Sequence, residues 1–225
     1  MRKIFIIIGA VLLTAGLSII GYTLWDFTGA NQITQAEQKA LSDNLSQKWN
    51  SSVVADGSVQ DDGIGGEGEP FAKIYVPAWG SDYVKPIVQG TTLRSLDLGV
   101  GHYKNTADAG QEGNFAVAAH RTTAGANFEN IDKLVKGDNI YVETSTHIYK
   151  YEVRNVIIVP PTQVKVIEPV PYGIALEPND SKAILTMTSC NPKWGDQERI
   201  VAFSVLTTTY DKSENQGNLS NIIKP

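Results

Sequence analysis

Ala183-Ile-Leu-Thr-Met-Thr-Ser-Cys190-Asn-Pro-Lys-Trp-Gly-Asp-Gln-Glu-Arg199-Ile-Val-Ala-Phe203 is the stretch on which fold and chemistry both turn. Residues 183–189 read as a strand that delivers the only cysteine of the chain, and a second strand begins at Arg199 and runs to about Leu206. Asn191, Pro192, Gly195 and Asp196 between them are loop residues. If the two strands pair side by side, a thiol and a guanidinium stand at neighbouring strand ends. A cation beside a thiol favours the nucleophilic thiolate. An arginine there could equally hold the oxyanion that forms when a thiolate attacks a carbonyl. The competing reading is a buried, inert cysteine, a common fate of free thiols.

A cysteine nucleophile needs a base, and the two usually come from distant parts of a sequence. The chain has three histidines. His120 ends Asn114-Phe-Ala-Val-Ala-Ala-His120, another small-residue apolar strand with a polar group at its end. His147 lies in Thr144-Ser-Thr-His147, which reads as a solvated hairpin tip. His102 lies in the glycine-flanked run Gly99-Val-Gly-His102-Tyr103, expected to be a loop, and is open between a supporting role and none.

Outward from this core, residues 4–25 contain no charged side chain and are long enough to cross a hydrocarbon core as a helix. Arg2 and Lys3 precede the run, and acids dominate the stretch from Asp26. The positive-inside rule then puts the first residues in the cytoplasm and everything after 25 outside, with Tyr22 and Trp25 in the outer aromatic belt. The uninterrupted apolar length and bulky end favour an anchor over a cleaved signal peptide. Either way the main domain is exported, and a single cysteine excludes an internal disulfide despite an oxidising address.

The 225 residues carry a net charge of −5 with a pI near 5.2, which leaves no basic field for nucleic acid. No Cys/His cluster has zinc spacing and no glycine loop cradles phosphate, so neither metal nor cofactor is expected. Gly63-Ile-Gly-Gly-Glu-Gly68 follows no strand and reads as flexible linker. Four segments are expected: anchor, 1–25; extracytoplasmic stalk, 26–69; one domain of mainly β structure, 70–208; polar tail, 209–225. Within the stalk, Ile33, Ala36, Ala40, Leu41, Leu45 and Trp49 have roughly helical spacing over 31–50, whereas 51–69 is too poor in apolar residues to order itself. In the domain the patterns predict strands at 71–78, 83–88, 114–120, 139–143, 148–153, 155–159, 164–167, 183–189 and 200–206. Short helices are predicted at 92–98 and 127–135. Many short strands at close spacing suggest a barrel or sandwich.

These residues also carry a family resemblance. Ala119-His120-Arg121-Thr122-Thr123, then Asn127-Phe128 and Leu134-Val-Lys-Gly-Asp138, resembles the histidine segment of sortases. Thr186-Met-Thr-Ser-Cys190-Asn-Pro192, with Arg199 nine residues on, resembles their cysteine segment. The His-Arg-Thr start, the Cys-x-Pro, Gly101-His102-Tyr103, Gly113-Asn114 and Ile158-Val-Pro-Pro-Thr162 through Pro169 are most similar to class E sortases of actinobacteria. Met187 and Ser189 depart from the usual Thr-Leu-x-Thr-Cys, one conserving volume and the other a hydroxyl. The resemblance implies an eight-stranded β-barrel with short helices behind one transmembrane helix. It implies a cysteine transpeptidase with Cys190 as nucleophile, His120 as general acid/base and Arg199 as oxyanion or substrate clamp. Thr188, Ser189 and His102 are the candidate substrate-binding residues. The implied partners are secreted proteins with a C-terminal Leu-Ala-x-Thr-Gly or Leu-Pro-x-Thr-Gly signal, cut between Thr and Gly, and an amine of peptidoglycan or lipid II. An L,D-transpeptidase-like enzyme, whose Ser-x-Gly-Cys pattern is absent here, and a non-catalytic module on the same fold are the alternatives.

Overall fold

Strand alternation decides which side chains fill this molecule and which face outward. The computed structural model describes residues 2–51, 63–213 and Ile222. Eight strands form: β1 (Pro70–Tyr75), β2 (Val84–Gln89), β3 (Val100–His102), β4 (Gly113–Ala118), β5 (Asn139–Glu143), β6 (His147–Val159), β7 (Ala183–Asn191) and β8 (Glu198–Asp211). They close into a barrel in the order β1-β2-β3-β4-β7-β8-β6-β5, and β5 pairs back onto β1. Closure removes every exposed edge. The pairs β2/β3 and β4/β7 are parallel and the others antiparallel.

The interior takes every second residue. Phe115 and Val117 of β4, Leu185 and Met187 of β7, Ile200 and Ala202 of β8 and Tyr151 and Val153 of β6 share one buried cluster. The alternate residues Val201 and Phe203 face outward, yet they too are buried, because Val166, Ile167 and Ile174 from the long β6–β7 connection pack on them. Asn114 fastens that connection to the barrel wall: its Nδ2 donates to the carbonyls of Val166 and Glu168 at 3.2 and 3.0 Å. Residues of the 160–182 connection thus roof one outer face of the barrel over β6 and β8.

Several local expectations are corrected. Residues 164–167 form a 3-10 turn rather than a strand. The Val-Lys-Val-Ile alternation imitates a strand, but Pro160-Pro161 and Pro169 confine it. The two strands expected at 148–153 and 155–159 are one, β6, with an irregularity between Val153 and Asn155. Val100–His102, expected as loop, is β3. Gly101 permits its tight parallel pairing, since a Cβ there would come within 2.4 Å of the Gly90 carbonyl oxygen. The expected helix at 92–98 is α2 (Leu93–Leu98), capped by the Thr92 hydroxyl on the Ser95 amide. The helix expected at 127–135 shrinks to a 3-10 turn at Ile131–Lys133.

The N-terminal helix α1 runs from Arg2 to Ser51. Arg2–Thr23 has mean hydropathy 2.6 and is long and apolar enough to cross a membrane. Side chains of 24–28, Trp25 included, lie outside the description, as do residues 52–62 of the expected spacer and most of the expected tail. The later part of α1 packs on the barrel along Gln38, Ser42, Leu45 and Trp49, all buried, while Ile33 is exposed. Gly63–Gly68 is tethered rather than free: Gly68 N–H donates to Gln89 O at 2.7 Å, and Glu67 accepts from Thr92 and Ser95 and pairs with Lys104.

Candidate active site

Register builds the site. β7 and β8 pair so that Cys190 stands directly opposite Arg199, as the side-by-side arrangement of the two segments requires. On its other side β7 pairs in parallel with β4, ending at Ala118 opposite Thr188. The contact continues past the strand end: Ala119 N–H donates to Thr188 O at 3.2 Å, and the Ser189 hydroxyl donates to Ala119 O at 2.8 Å. Carried one residue further, the same register sets His120 beside Cys190. Alternation then places all three on one face. Val117 and Ala119, Met187, and Ile200 point into the core, so His120, Cys190 and Arg199 point to the outer side, at the margin of the roofed surface.

Each is partly exposed. His120 Nε2 lies 3.8 Å from a carboxylate oxygen of Asp97 at the end of α2. Arg199 donates through Nη1 to the carbonyls of Asp196 and Glu198, both at 2.8 Å. Among the described residues its Nε and Nη2 make no hydrogen bond.

The remaining expected residues sort by face. Thr188 lies on the outer side two residues before the thiol; its hydroxyl donates to Val117 O at 3.3 Å and meets the Tyr103 hydroxyl at 3.1 Å. Ser189 is turned inward and is bonded as above. His102 also points inward: it is 1% exposed, its ring packs against Phe71 and Phe115, and its nitrogens face Gln89 and the Ala107 carbonyl. Burial pulls its pKa below the ordinary histidine value and keeps it neutral. The structure therefore sets His102 apart from the thiol. His147 opens β6 opposite Asp211, at the far end of the strand pair whose near end joins Val159 to Arg199.

Arg121, directly after His120, carries no expected role in the sequence. It is 5% exposed. Its guanidinium bridges the two halves of the site: Nη1 donates to Asn191 Oδ1 at 2.5 Å and, at 3.4 Å, to Cys190 O, while Nη2 pairs with Asp132 at 3.0 Å. No periodicity marks such a residue; its position directly after His120 is the only signal. Asp97 and Tyr103 likewise carry no signal in the sequence for the places they take here. No group of three or more His, Cys, Asp or Glu side chains among the described residues could hold a metal.

The fold is that of a known family. Residues 74–207 match the Sortase domain. The chain is 30% identical over 220 residues to "Sortase SrtE1" of Streptomyces coelicolor, a match covering 93% of this chain and 59% of that protein. It is 31% identical over 216 residues to "Sortase SrtE2" of the same organism, covering 90% of this chain and 82% of the other. The crystal structure of Sortase E1 from Streptomyces coelicolor, with a tripeptide in its active site, superposes with a TM-score of 0.62 at 27% identity over 69% of this chain and 98% of that one. The chain belongs to the sortase family and is similar to its class E members. It spans about 59% of the length of the first of these relatives.

Proposed function

We propose that the protein is a membrane-anchored cysteine transpeptidase. It cleaves a C-terminal sorting signal of the Leu-Ala-x-Thr-Gly or Leu-Pro-x-Thr-Gly type between Thr and Gly. It then joins the threonyl acyl group to an amine of peptidoglycan or its lipid II precursor. The observation that carries the reading is the placement of His120, Cys190 and Arg199 on the same outer face of three adjoining strand ends, with Cys190 directly opposite Arg199.

The chemistry follows from the donors available. The Cys190 thiolate attacks the threonyl carbonyl, and the developing oxyanion is held by the unoccupied half of the Arg199 fork. Collapse breaks the Thr–Gly bond, and His120 gives its proton to the departing glycine amine. The thioester left on Cys190 is then attacked by the acceptor amine. His120 takes up the proton of that amine, and the thiolate leaves with the new peptide bond formed. The tripeptide in the Sortase E1 structure supports a peptide ligand on this face. Val117 O and Tyr103 already engage Thr188, so Thr188 would shape the groove wall rather than extend a free hydroxyl into it.

An anchor at Arg2–Thr23 with the barrel outside the cell suits this substrate, because wall precursors and exported proteins both meet the outer leaflet. The test is acyl-enzyme formation by the full chain in detergent with a Leu-Ala-x-Thr-Gly peptide, with and without a glycine-bearing amine. The wild type is expected to form a thioester at Cys190 and to pass the acyl group to the amine. Cys190→Ala is expected to fold and form none. Cleavage by Cys190→Ala, or a wild type inert to every sorting peptide, would sink the reading.

A further inference from the structure

We propose that residues 31–38 of α1 are a positioning arm for His120, so that the segment leading out of the apolar span also sets the geometry of the site. The inference rests on the transpeptidase reading and adds to it a device that holds one of the reacting groups. Its basis is a set of amide side chains on one helix face that grip the loop directly after His120.

Asn31, Gln35 and Gln38 recur at i, i+4 and i+7 and therefore share a face. Asn31 both donates and accepts: Nδ2 bonds Thr122 O at 3.0 Å, and Oδ1 accepts the Gly125 N–H at 3.0 Å. Gln35 Nε2 donates to Gly125 O at 3.0 Å. Gln38, 2% exposed, spends its amide hydrogens on Ala124 O at 3.2 Å and Asp97 O at 3.1 Å. Gln38 thus joins the loop after His120 to the residue whose carboxylate faces the His120 ring.

The loop has reason to need such a grip. Ala124 and Ala126 adopt φ of 47° and 51°, a left-handed conformation that a Cβ disfavours, and Gly125 between them has φ of 83°. Its own backbone bonds, Ala126 N–H to Thr123 O and Phe128 N–H to His120 O, do not reach the carbonyls of 122, 124 and 125. Those groups find partners on the helix. The fit is close: a Cβ at Gly125 would meet Gln38 Oε1 at 2.8 Å. On its other side the loop is held by Arg121 through Asn191 and Asp132. His120 therefore sits between two fixtures, one belonging to the barrel and one to α1. The same helix face continues through Ser42 and Leu45 to Trp49, whose ring lies under Lys73 and Lys212, so the arm is braced at its far end.

The experiment compares full-length wild type with Asn31→Ala/Gln35→Ala/Gln38→Ala in detergent. It reads kcat and KM for transpeptidation of a Leu-Ala-x-Thr-Gly peptide, together with amide hydrogen exchange in 122–126. The arm predicts KM within about twofold and kcat lower by on the order of tenfold or more, as for a misplaced catalytic group, with faster exchange in the loop. Should the triple variant not fold, Gln35→Ala and Asn31→Asp each remove one loop bond and are expected to lower kcat about two- to tenfold. A folded variant with unchanged kcat overturns the arm. So does a loss confined to KM, or a fall in kcat without faster exchange at 122–126. A wild type that forms no acyl-enzyme overturns the transpeptidase reading and the arm with it, whereas an active wild type beside an unaffected variant overturns the arm alone.

Discussion

Arg199 divides its guanidinium between two tasks. Nη1 closes the turn after Cys190 by holding two carbonyls, which leaves Nε and Nη2 for the proposed oxyanion. A lysine could keep one of these tasks but not both, because an ammonium on a flexible stem lacks the planar fork. Arg199→Lys is therefore expected to lose on the order of a hundredfold in kcat/KM, measured by steady-state transpeptidation on folded protein. In the same assay His120→Ala is expected to be nearly dead and His147→Ala close to wild type, since His147 sits at the opposite end of the β6–β8 pair and stacks on Tyr149. Equal losses for the two histidines would undo the assignment. The positions of His120, Cys190 and Arg199 were legible in the sequence because each stands at one end of an apolar run that alternation makes a strand, and turn residues separate the cysteine from the arginine. His102 was read less well. It follows Gly99-Val-Gly101, which suggests a loop, yet Gly101 allows a close parallel pairing and the ring turns into the core.

At the scale of elements, the docking of α1 is what the sequence hid. Its buried face includes Gln38 and Ser42, so counting apolar residues at helical spacing picked out Ile33, which the structure exposes. The far end of the contact is a charged one. Glu143 lies between Lys73 and Lys212 at 3.0 and 2.9 Å and accepts from Tyr75 at 2.6 Å, while Lys73 also donates to Ser46 on α1 at 2.7 Å. Burial pushes the Glu143 carboxyl up, but the two ammonium groups and the phenol more than offset it and leave the pKa below the usual value. A carboxyl lowered in the folded state contributes stability that is present above its unfolded pKa and is lost as the pH falls through the folded one. The melting temperature is expected to drop on acidification below about pH 4, and the drop should be smaller in Glu143→Gln. At neutral pH that variant should be less stable by about 3 kcal/mol, because Lys73, 6% exposed, loses its buried ion-pair partner. An unchanged acid slope in Glu143→Gln would remove Glu143 from the account. The same blindness to long-range partners explains the connection 160–182, where apolar residues read as strand instead roof a barrel wall through Asn114.

Across the whole molecule, the barrel closes through pairings between distant parts of the chain. The seam that matters most is β4 with β7, whose partners lie 70 residues apart, and the Ser189–Ala119 bond at its end has the same separation. Bringing such ends together costs about 4 kcal/mol of chain entropy before any contact rewards it, and folds dominated by such pairings form in milliseconds to seconds. Trp79, packed on Tyr83 and Phe128, reports the closed core. In refolding from denaturant, capacity to form the acyl-enzyme is expected to appear only with the slowest tryptophan fluorescence phase; activity arriving earlier would show the seam closing first. Timing is thus written into the topology. His120 follows β4 and Cys190 lies in β7, so on the proposed reading a chain that has not yet closed this seam carries its thiol with no proton donor beside it. On that reading the nucleophile is armed by the act of folding itself.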